Sequence, residues 1–363
     1  MKKEANLYNI MEQFAIGSKI EPYGNGHING TYSVEVPRLL LQRINTDVFR
    51  NPDELMENIE TVTEFLREKI AAAGGDPERE TLRIIKTVDG RNYYRDEENQ
   101  VYRMYRFVEN TKIIDSEKSY DNIFHAGKGF GRFQKMLSDF PVDKLHETIP
   151  NFHHTPKRVE ALQTAIEEDR AGRAKNIEAE IAFALDHAKI ADVVVSKMET
   201  GEIPVRVTHN DTKIDNILFD RETGEAVCVI DLDTVMPGSA LYDYGDAIRS
   251  GANTAAEDEP DTSKISLDLN LFEQFTRGFL SEVHDILNDE EIRLLPLSIK
   301  VITCELAMRF LTDYIDGDLY FKVYSPDHNL IRARAQMKLL TDVEDKFDTL
   351  NEMVRKIAAE FKN

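Results

Sequence analysis

The first hundred or so residues show the short apolar alternation that is typical of β-strands. The pattern predicts strands at 31–36, 39–42, 82–88, 93–94 and 101–108. The dipeptide Asp89-Gly90 predicts a hairpin between the third and fourth of these strands. One helix interrupts the series at about 53–70, where apolar residues recur every three or four positions.

After about residue 110 the pattern changes to long amphipathic helices. They are predicted at 117–138, 156–171, 176–198, 268–286, 290–316 and 330–361. A compact β segment, residues 205–235, lies between two of them. The chain is therefore predicted to be an α+β protein of two lobes. A β-rich N-terminal lobe spans 1–108, and a mostly helical C-terminal lobe spans 109–363 and carries the β insert.

Length and composition restrict the class of protein. The chain has 363 residues, enough for two domains at roughly 150 residues each. Its net charge is −21 without a dense cluster of Lys and Arg, so neither nucleic acid nor an anionic membrane is an expected partner. A cytoplasmic location is expected because the N-terminus lacks an apolar signal core. Cys228 and Cys304 lie far apart in apolar surroundings and are predicted to be buried free thiols.

The residue types that phosphoryl transfer requires are concentrated in residues 205–219. A short apolar strand leads into a His-x-Asp-x-x-x-x-Asn sequence that contains Asp211 and Asn216. A second apolar strand ends on Asp231. Asp211 suits the acceptance of a hydroxyl proton, whereas Asn216 and Asp231 suit Mg²⁺ coordination. Lys213, two residues beyond Asp211, can reach the transferred phosphoryl group.

Neighbouring polar residues allow more than one interpretation. His209 is more typical of a hydrogen-bonded scaffold than of a catalyst. Asp233 suits either a second metal contact or a cap of the following turn. Asp243 is predicted to stabilise the catalytic loop by accepting hydrogen bonds from backbone N–H groups.

A glycine-rich segment, residues 23–30, precedes the first clear strand. A dinucleotide-binding glycine loop would open a helix instead, and the sequence has no P-loop motif. Because it lies between strands, the segment is predicted to close over ATP phosphates, with Gly24, Gly26 and Asn29 in contact. Gly127, Gly129 and Gly131 occur in a helical pattern, which favours close helix packing over a phosphate site.

With these motifs in place, the chain resembles the aminoglycoside phosphotransferase and choline kinase group of protein-kinase-like enzymes over nearly its whole length. It looks most similar to N-acetylhexosamine 1-kinases. That closer resemblance rests on residues 23–29, 208–213, 230–238, 308–311, 317–321 and 328–330. The fold it implies is the two-lobed kinase-like fold, and the reaction is ATP-dependent phosphorylation of the anomeric hydroxyl of N-acetylglucosamine or N-acetylgalactosamine.

The resemblance also assigns roles to residues. Asp211 is the base, and Mg²⁺ is bound by Asn216 and Asp231. Adenine is expected against the linker backbone at Phe107, Val108 and Glu109. The small amino-sugar substrate is expected between the catalytic loop and the late helices, in contact with Asp211, Thr234, Arg309 and Tyr320.

One position departs from the kinase-like pattern. These proteins usually carry a Lys on the third strand, paired with a Glu on the following helix, and here Gln42 occupies that position. We expect Gln42 to hydrogen-bond a phosphate and Glu60 to be its helix partner. Arg43 is adjacent, but strand alternation directs it to the opposite face.

Two alternatives remain at this point. One is a kinase for another small hydroxyl substrate of the aminoglycoside, choline or homoserine type, and the acidic composition would suit a cationic member such as choline or an aminoglycoside. Against it, the chain has no Trp for an ammonium cage, and Arg309 would repel a cation. The second alternative is an inactive kinase fold that serves as a binding module. Only the missing Lys supports it, since Asp211, Asn216 and Asp231 are all present.

Overall fold

A computed structural model describes residues 2–17, 19–24, 28–35, 37–114 and 118–362. The N-terminal part is built on a six-stranded antiparallel sheet within these residues. Its strands are β1 Ile20–Pro22, β2 Gly30–Val34, β3 Leu39–Ile44, β4 Ile84–Ile85, β5 Tyr94–Arg95 and β6 Val101–Arg106. The order is β1-β2-β3-β6-β4, and β5 also pairs with β6. The predicted strands are therefore present, mostly shortened at their ends.

The turn at Asp89-Gly90 forms, but the hairpin predicted around it does not. Gly90 has a φ of +82°, and the amide of Thr87 donates to the carbonyl of Arg91 at 2.9 Å. Beyond this turn, β4 and β5 both pair with β6, and their registers place them at different points along it. A turn signal fixes the reversal of the chain, whereas strand partners depend on the rest of the sheet.

Two helices belong to this part of the chain. Helix α1, Lys2–Glu12, was not predicted, although Leu7, Ile10, Met11 and Phe14 recur at helical spacing. Helix α2, Pro52–Ala72, confirms the predicted helix and begins at the Asn51 cap, whose side chain accepts from the amide of Glu54.

The remainder is mostly helical. Its helices are α3 Tyr120–Met136, α4 Thr155–Glu168, α5 Glu178–His187, α6 Asp192–Glu199, α7 Ala240–Gly251, α8 Leu269–Val283, α9 Asp289–Asp316, α10 His328–Asp345 and α11 Phe347–Glu360. Its strands are β7 Thr111–Lys112, β8 Arg206–Thr208, β9 Ile217–Asp220, β10 Ala226–Val229 and β11 Met236–Gly238. They form one sheet in the order β10-β9-β7 and a second from β11 and β8. The α+β class is thus confirmed.

The helix predictions erred in two ways. The helices predicted at 176–198 and 330–361 are each divided, the second at Lys346, whose backbone has left the helical region. Helix α7 was missed, and nearly every one of its residues is buried, including the polar Asp243, Asp246 and Arg249.

The largest hydrophobic cluster joins the two parts of the chain. Buried side chains of α2 pack with those of α3, α7, α8 and α9 in one continuous core. A smaller cluster fills the space between α1 and the six-stranded sheet. The lobe boundary at residue 108 stays a prediction. In the described residues no helix has the length and apolar content to span a membrane. Cys228 and Cys304 are buried free thiols, as expected.

Helices α3 and α8 approach closely at glycines, as the sequence predicted. A Cβ atom at Gly127 would lie 2.2 Å from the backbone oxygen of Phe275, and one at Gly131 would lie 2.8 Å from that of Phe279. On α8, a Cβ at Gly278 would lie 2.1 Å from the backbone oxygen of Phe124. A side chain at any of these positions would push the two helices apart.

We expect overpacking in Gly127→Ala to cost about 3 kcal/mol, the upper end of the usual range, because the new Cβ would overlap a backbone oxygen. Ala normally brings a helix a gain of roughly 1 kcal/mol, so the free energy of unfolding should fall by about 2 kcal/mol. Urea unfolding measures the difference in the free energy of unfolding between the variant and the native chain. Gly17→Ala is the control, because nothing lies within 4 Å of a Cβ there. A Gly127→Ala protein as stable as the native chain would contradict the close approach.

Candidate active site

The catalytic loop follows β8 and is held by one buried carboxylate. Asp243, on α7, accepts hydrogen bonds from the amides of His209 at 2.9 Å and Asn210 at 2.7 Å, and from Nε2 of Gln134 at 2.8 Å. Burial raises the pKa of Asp243, and the hydrogen bonds from the backbone N–H groups of His209 and Asn210 and from the Gln134 side chain oppose this effect. The loop-stabilising role predicted for Asp243 is confirmed.

His209 is a scaffold residue by its contacts. Its Nε2 lies 2.8 Å from the carbonyl oxygen of Ile230, and its Nδ1 accepts from the amide of Asp211 at 3.2 Å. Phe130 and Phe133 pack edge-on against the buried ring. With both nitrogens occupied, His209 connects the catalytic loop to the end of β10.

Two residues of this region have left-handed backbone, which costs energy in residues other than glycine. Asn210 has a φ of +65° and Asp231 a φ of +59°. The side chain of Asn210 stabilises its turn by donating to the carbonyl of Thr234 at 2.9 Å. The strained conformations lie next to Asp211 and at Asp231 itself, where the sequence predicts the chemistry.

The structure brings together Asp211, Lys213 and Asn216. Lys213 Nζ is 3.4 Å from Asp211 Oδ1. Asn216 Nδ2 donates to the Asp211 carbonyl at 2.8 Å and to Oδ2 at 3.3 Å. Burial raises the pKa of Asp211, but the positive charge of Lys213 outweighs this effect, so the net pKa is lowered. Asp211 is therefore a carboxylate at neutral pH, and Asp211 in turn raises the pKa of Lys213.

Asp231 lies at the end of β10, exposed in the cleft beside this group. Desolvation by the surrounding protein and the negative charges of Asp233 and Asp211 raise the pKa of Asp231 to about 7. Backbone pairing places it near Asn216, since the amide of Ile230 donates to the Asn216 carbonyl at 2.9 Å. Among the described residues, neither the Asp231 carboxylate nor the side-chain oxygen of Asn216 has a hydrogen-bond or ion-pair partner.

These two oxygens suit Mg²⁺, which binds through one or two protein oxygens together with substrate phosphates. Within the described ranges, no three side chains of His, Cys, Asp or Glu form a complete metal site. The cluster of acidic groups around Asp231 is the arrangement that a cation would stabilise. The residues present therefore fit a magnesium ion that completes its coordination on a nucleotide.

Asp233 occupies neither of its two predicted roles. Its Oδ1 lies 2.5 Å from Arg103 Nη1, and its Oδ2 accepts from Asn29 Nδ2 at 2.7 Å. Both members of the ion pair are almost completely buried. Asn29, predicted to contact nucleotide phosphates, is thus held at Asp233, and its Oδ1 accepts from the amide of Asn45 at 2.9 Å.

Gln42 and Glu60 are not partners. Gln42 Nε2 donates to Thr31 Oγ1 at 3.2 Å, and its Oε1 accepts from Arg103 Nε at 3.0 Å. Glu60 pairs with Lys86 and accepts from Asn92 instead. The expected Gln42–Glu60 pair is therefore wrong, because the half-buried Glu60 binds the segment between β4 and β5 instead. Arg43 is exposed, as strand alternation predicted.

The linker after β6 presents unpaired backbone groups for adenine. The amide of Phe107 donates to the Arg38 carbonyl at 3.1 Å, and the Val108 carbonyl accepts from Thr111 Oγ1 at 2.9 Å. Among the described residues, the Phe107 carbonyl and the amides of Val108 and Glu109 have no partner. Glu109 binds Arg38, whose guanidinium stacks on the Phe107 ring. Adenine binding here stays a prediction.

The glycine-rich segment joins β1 to β2, in agreement with the sequence. Tyr23 contacts the Phe107 ring edge-on at 5.8 Å, so the segment reaches the linker. Gly24 has a φ of +73° and open space around it. Gly26, the other predicted phosphate contact, lies outside the described residues. The flap role of the segment stays a prediction.

Arg309 and Tyr320 are brought together although they belong to different elements. The Arg309 guanidinium lies 4.9 Å from the ring centre of Phe152, 5.6 Å from that of Phe321 and 5.9 Å from that of Tyr320. No carboxylate in the described part of the chain lies within ion-pair distance of Arg309. Thr234, the third predicted sugar contact, donates its hydroxyl to the His209 carbonyl at 2.7 Å. The Thr234 hydroxyl can therefore only accept a hydrogen bond from a substrate.

His153, which the sequence analysis did not single out, connects this aromatic group to the catalytic loop. Its Nε2 lies 2.9 Å from the Asn210 carbonyl oxygen and its Nδ1 lies 2.7 Å from Glu305 Oε1. Burial lowers the pKa of His153, but Glu305 outweighs this effect and the net pKa is raised. Glu305 also accepts from Thr155 and precedes Arg309 by one turn of α9. Glu305 and His153 thus connect the part of α9 that carries Arg309 to the backbone of the catalytic loop.

Asp313 positions the loop that carries Tyr320. Its carboxylate accepts from the amides of residues 319, 320 and 321 at 2.7–2.9 Å, and from Asn329 Nδ2 at 2.8 Å. Gly317 and Asp318 precede this loop with φ of +97° and +64°. The sequence signal was present, because Gly followed by a polar residue commonly ends a helix, but the carboxylate that organises the loop lies inside α9.

Comparison with known proteins agrees with this geometry. A sequence model of the phosphotransferase enzyme family matches residues 19–273. A microcompartment-associated aminopropanol kinase is similar in structure with a TM-score of 0.62, at 14% identity over 96% of this chain and 98% of its own. An amicoumacin kinase has a TM-score of 0.59 at 14% identity, over 95% of this chain and 96% of its own. A spectinomycin phosphotransferase has a TM-score of 0.57 at 14% identity, over 98% of this chain and 97% of its own. The predicted two-lobed kinase-like fold is confirmed.

We expect Asp243→Ala to lower the free energy of unfolding by about 2–4 kcal/mol, because buried N–H donors lose a charged acceptor. Hydrogen exchange at the amides of His209 and Asn210 should also accelerate. Asp186→Ala, which removes a mostly exposed carboxylate, is the control. Unchanged exchange at the two loop amides would show that the loop is held by other contacts.

Proposed function

The chain belongs to the phosphotransferase enzyme family, and on this basis we propose that it is an ATP- and Mg²⁺-dependent N-acetylhexosamine 1-kinase. It would transfer the γ-phosphoryl group of ATP to the anomeric hydroxyl of N-acetylglucosamine or N-acetylgalactosamine. The observation that carries the choice of substrate is Arg309, a cation without a carboxylate partner in the described residues, surrounded by aromatic rings beside the catalytic loop.

Asp211 is the proposed general base. Its lowered pKa keeps it ionised, so that it can accept the proton of the attacking hydroxyl as the bond to phosphorus forms. The anomeric hydroxyl is the most acidic hydroxyl of the sugar, which reduces the basicity that Asp211 must supply. Lys213, 3.4 Å away, is placed to stabilise charge on the transferred group.

Asn216 and Asp231 are the proposed magnesium ligands. The bound ion would neutralise the negative charge that develops on the phosphate oxygens. The chain contributes the fixed positions of the ligands, since the two residues lie at the ends of paired strands β9 and β10. The linker at residues 107–109 would hold adenine, and the glycine-rich segment would cover the phosphates.

The charge of the acceptor side favours a neutral amino sugar over an amine. Arg309 and the nearby Arg158 supply positive charge, while Glu305 is already bound by His153 and Thr155. A guanidinium fork suits the oxygens of an N-acetyl group or of ring hydroxyls, and Tyr320 offers an apolar face with a polar tip. An ammonium group would meet an unneutralised cation here.

The alternative is a kinase for another small hydroxyl substrate of the aminoglycoside, choline or homoserine type. Structurally similar proteins include, besides the aminopropanol kinase, an ethanolamine kinase of Plasmodium vivax. The net charge of −21 also suits a cationic substrate. Because charge at the acceptor side distinguishes the two classes, N-acetylated sugars tested beside choline, ethanolamine and aminoglycosides separate them.

We expect Asp211→Asn to fold normally and to reduce turnover by roughly 10²–10⁴-fold, the contribution of a positioned acid–base group. The measurement is substrate-dependent ADP release, with the thermal melting curve as a check of folding. The matched control is Asp215→Asn, four residues later on the same loop and exposed. Near-native turnover of Asp211→Asn would remove its role as base.

The position of attack provides the direct test of the proposed reaction. Free N-acetylglucosamine should be phosphorylated, whereas its 1-O-methyl glycoside should not, because the reactive oxygen is blocked. A 6-O-methyl derivative is the control and should remain a substrate. Phosphorus NMR of the product should report a sugar 1-phosphate without a reducing end. Comparable phosphorylation of the 1-O-methyl glycoside would refute the 1-kinase and leave a kinase acting at another hydroxyl.

A further inference from the structure

The Lys that kinase-like proteins carry on the third strand is replaced by Gln42 on β3, but a cation, Arg103, lies on the neighbouring strand β6. In the antiparallel register of β3 and β6, Gln42 lies directly opposite Arg103. Opposed residues project from the same face of a sheet, and Arg103 Nε donates to Gln42 Oε1 at 3.0 Å. Thr31 on β2, opposite Gln42 on its other side, continues the row. The row Thr31–Gln42–Arg103 therefore ends in a guanidinium close to the position where a strand-3 Lys would act.

Arg103 forms an ion pair with Asp233. The charged atoms are 2.5 Å apart, and both side chains are almost fully buried. The second oxygen of Asp233 accepts from Asn29, which in turn accepts from the amide of Asn45 at the end of β3. Asp233 is thus held directly by β6 and by the glycine-rich segment, and Asn29 connects it to the end of β3.

This junction lies two residues from a proposed magnesium ligand. Asp231 has a left-handed backbone, and residues Leu232–Thr234 form a single 3₁₀ turn immediately after it. A buried carboxylate without its cation is strongly unfavourable, so loss of Arg103 would force Asp233 to move. Movement of Asp233 would be transmitted through the short turn to Asp231.

We propose that Arg103 is the positioning residue that takes the place of the strand-3 Lys: by holding Asp233, it fixes Asp231 in the geometry that binds Mg·ATP. The Lys–Glu pair of kinase-like proteins joins a strand to a helix, whereas the Arg103–Asp233 pair joins a strand directly to the metal-binding turn. Arg103 acts through Asp233 and need not contact the nucleotide. This inference rests on the proposed ATP- and Mg²⁺-dependent activity.

A purely structural ion pair makes different predictions from a positioning one. If the pair only stabilises the fold, variants lose stability, but the folded fraction retains native affinity for Mg·ATP. If Arg103 positions Asp231, the folded variants bind Mg·ATP weakly while their affinity for metal-free ADP is retained. A Lys at position 42 is also expected to position Asp233 in place of Arg103, because residues 42 and 103 are directly opposed and project from the same face of the sheet.

The experiment compares Arg103→Met, the double variant Arg103→Met/Asp233→Asn, and Arg103→Met/Gln42→Lys. Arg106→Met, which removes an exposed Arg of the same strand, is the matched control. The double variant guards against failure to fold, since it removes both buried charges together. Calorimetry measures binding of Mg·ATP and of metal-free ADP. Hydrogen exchange reports on the amides of Leu232–Thr234, and steady-state kinetics give KM and kcat for ATP and for the acceptor.

We expect Arg103→Met and the double variant to lose about 10²-fold in Mg·ATP affinity and in kcat/KM for ATP, as small displacements of a reacting group commonly do. Exchange at Leu232–Thr234 should accelerate, the acceptor KM should stay near native, and Gln42→Lys should restore at least tenfold of the loss. Native Mg·ATP affinity in the folded variants, or no recovery with Gln42→Lys, would overturn the inference. A native chain that binds no Mg·ATP would instead overturn the proposed function.

Discussion

The site depends on the hydrogen bonds that the buried carboxylate of Asp243 accepts from the amides of His209 and Asn210. They fix the start of the catalytic loop in a conformation that Asn210 would not adopt alone. Helix α7 can present this carboxylate because the helix is buried on nearly all sides. The hydrophobic core therefore sets the position of α7, and α7 sets the position of the loop. The cost of the left-handed residue is offset by hydrogen bonds that water cannot displace.

Two groups of charged side chains lie near this loop. In the first, Asp211, Asp231 and Asp233 are close together, and Arg103 and Lys213 offset only part of their negative charge. In the second, Arg309 lies among aromatic rings without a carboxylate partner in the described residues. The opposite charge of the two groups is consistent with the proposed divalent metal at the first and an uncharged, oxygen-rich molecule at the second.

Indirect positioning is common to both groups. Tyr320 is placed by the Asp313 carboxylate, which accepts three successive amides of its loop. The turn after Asp231 is placed by Asp233 through Arg103 and Asn29. In each case a buried carboxylate orders a short segment next to a proposed site residue.

The sequence alone determined the catalytic loop, because its parts are local. Asp211, Asn216 and the strand that ends on Asp231 lie within some two dozen positions, and short strands and turns place them with few alternatives. Gly127 and its neighbours were likewise predicted correctly as packing residues, since glycines at helical spacing permit close approach. What the tertiary structure decided depends on register and on contacts between distant segments. Asn29 and Asp233 are 204 positions apart, and Arg103 meets Gln42 only because of one particular strand alignment. A shift of one residue would turn Arg103 to the opposite face, so no pattern along the chain distinguishes it from an exposed arginine. The pairing expected for Glu60 failed for the same reason: helix periodicity gives the faces of α2, but the packing of the whole core decides which face meets the sheet.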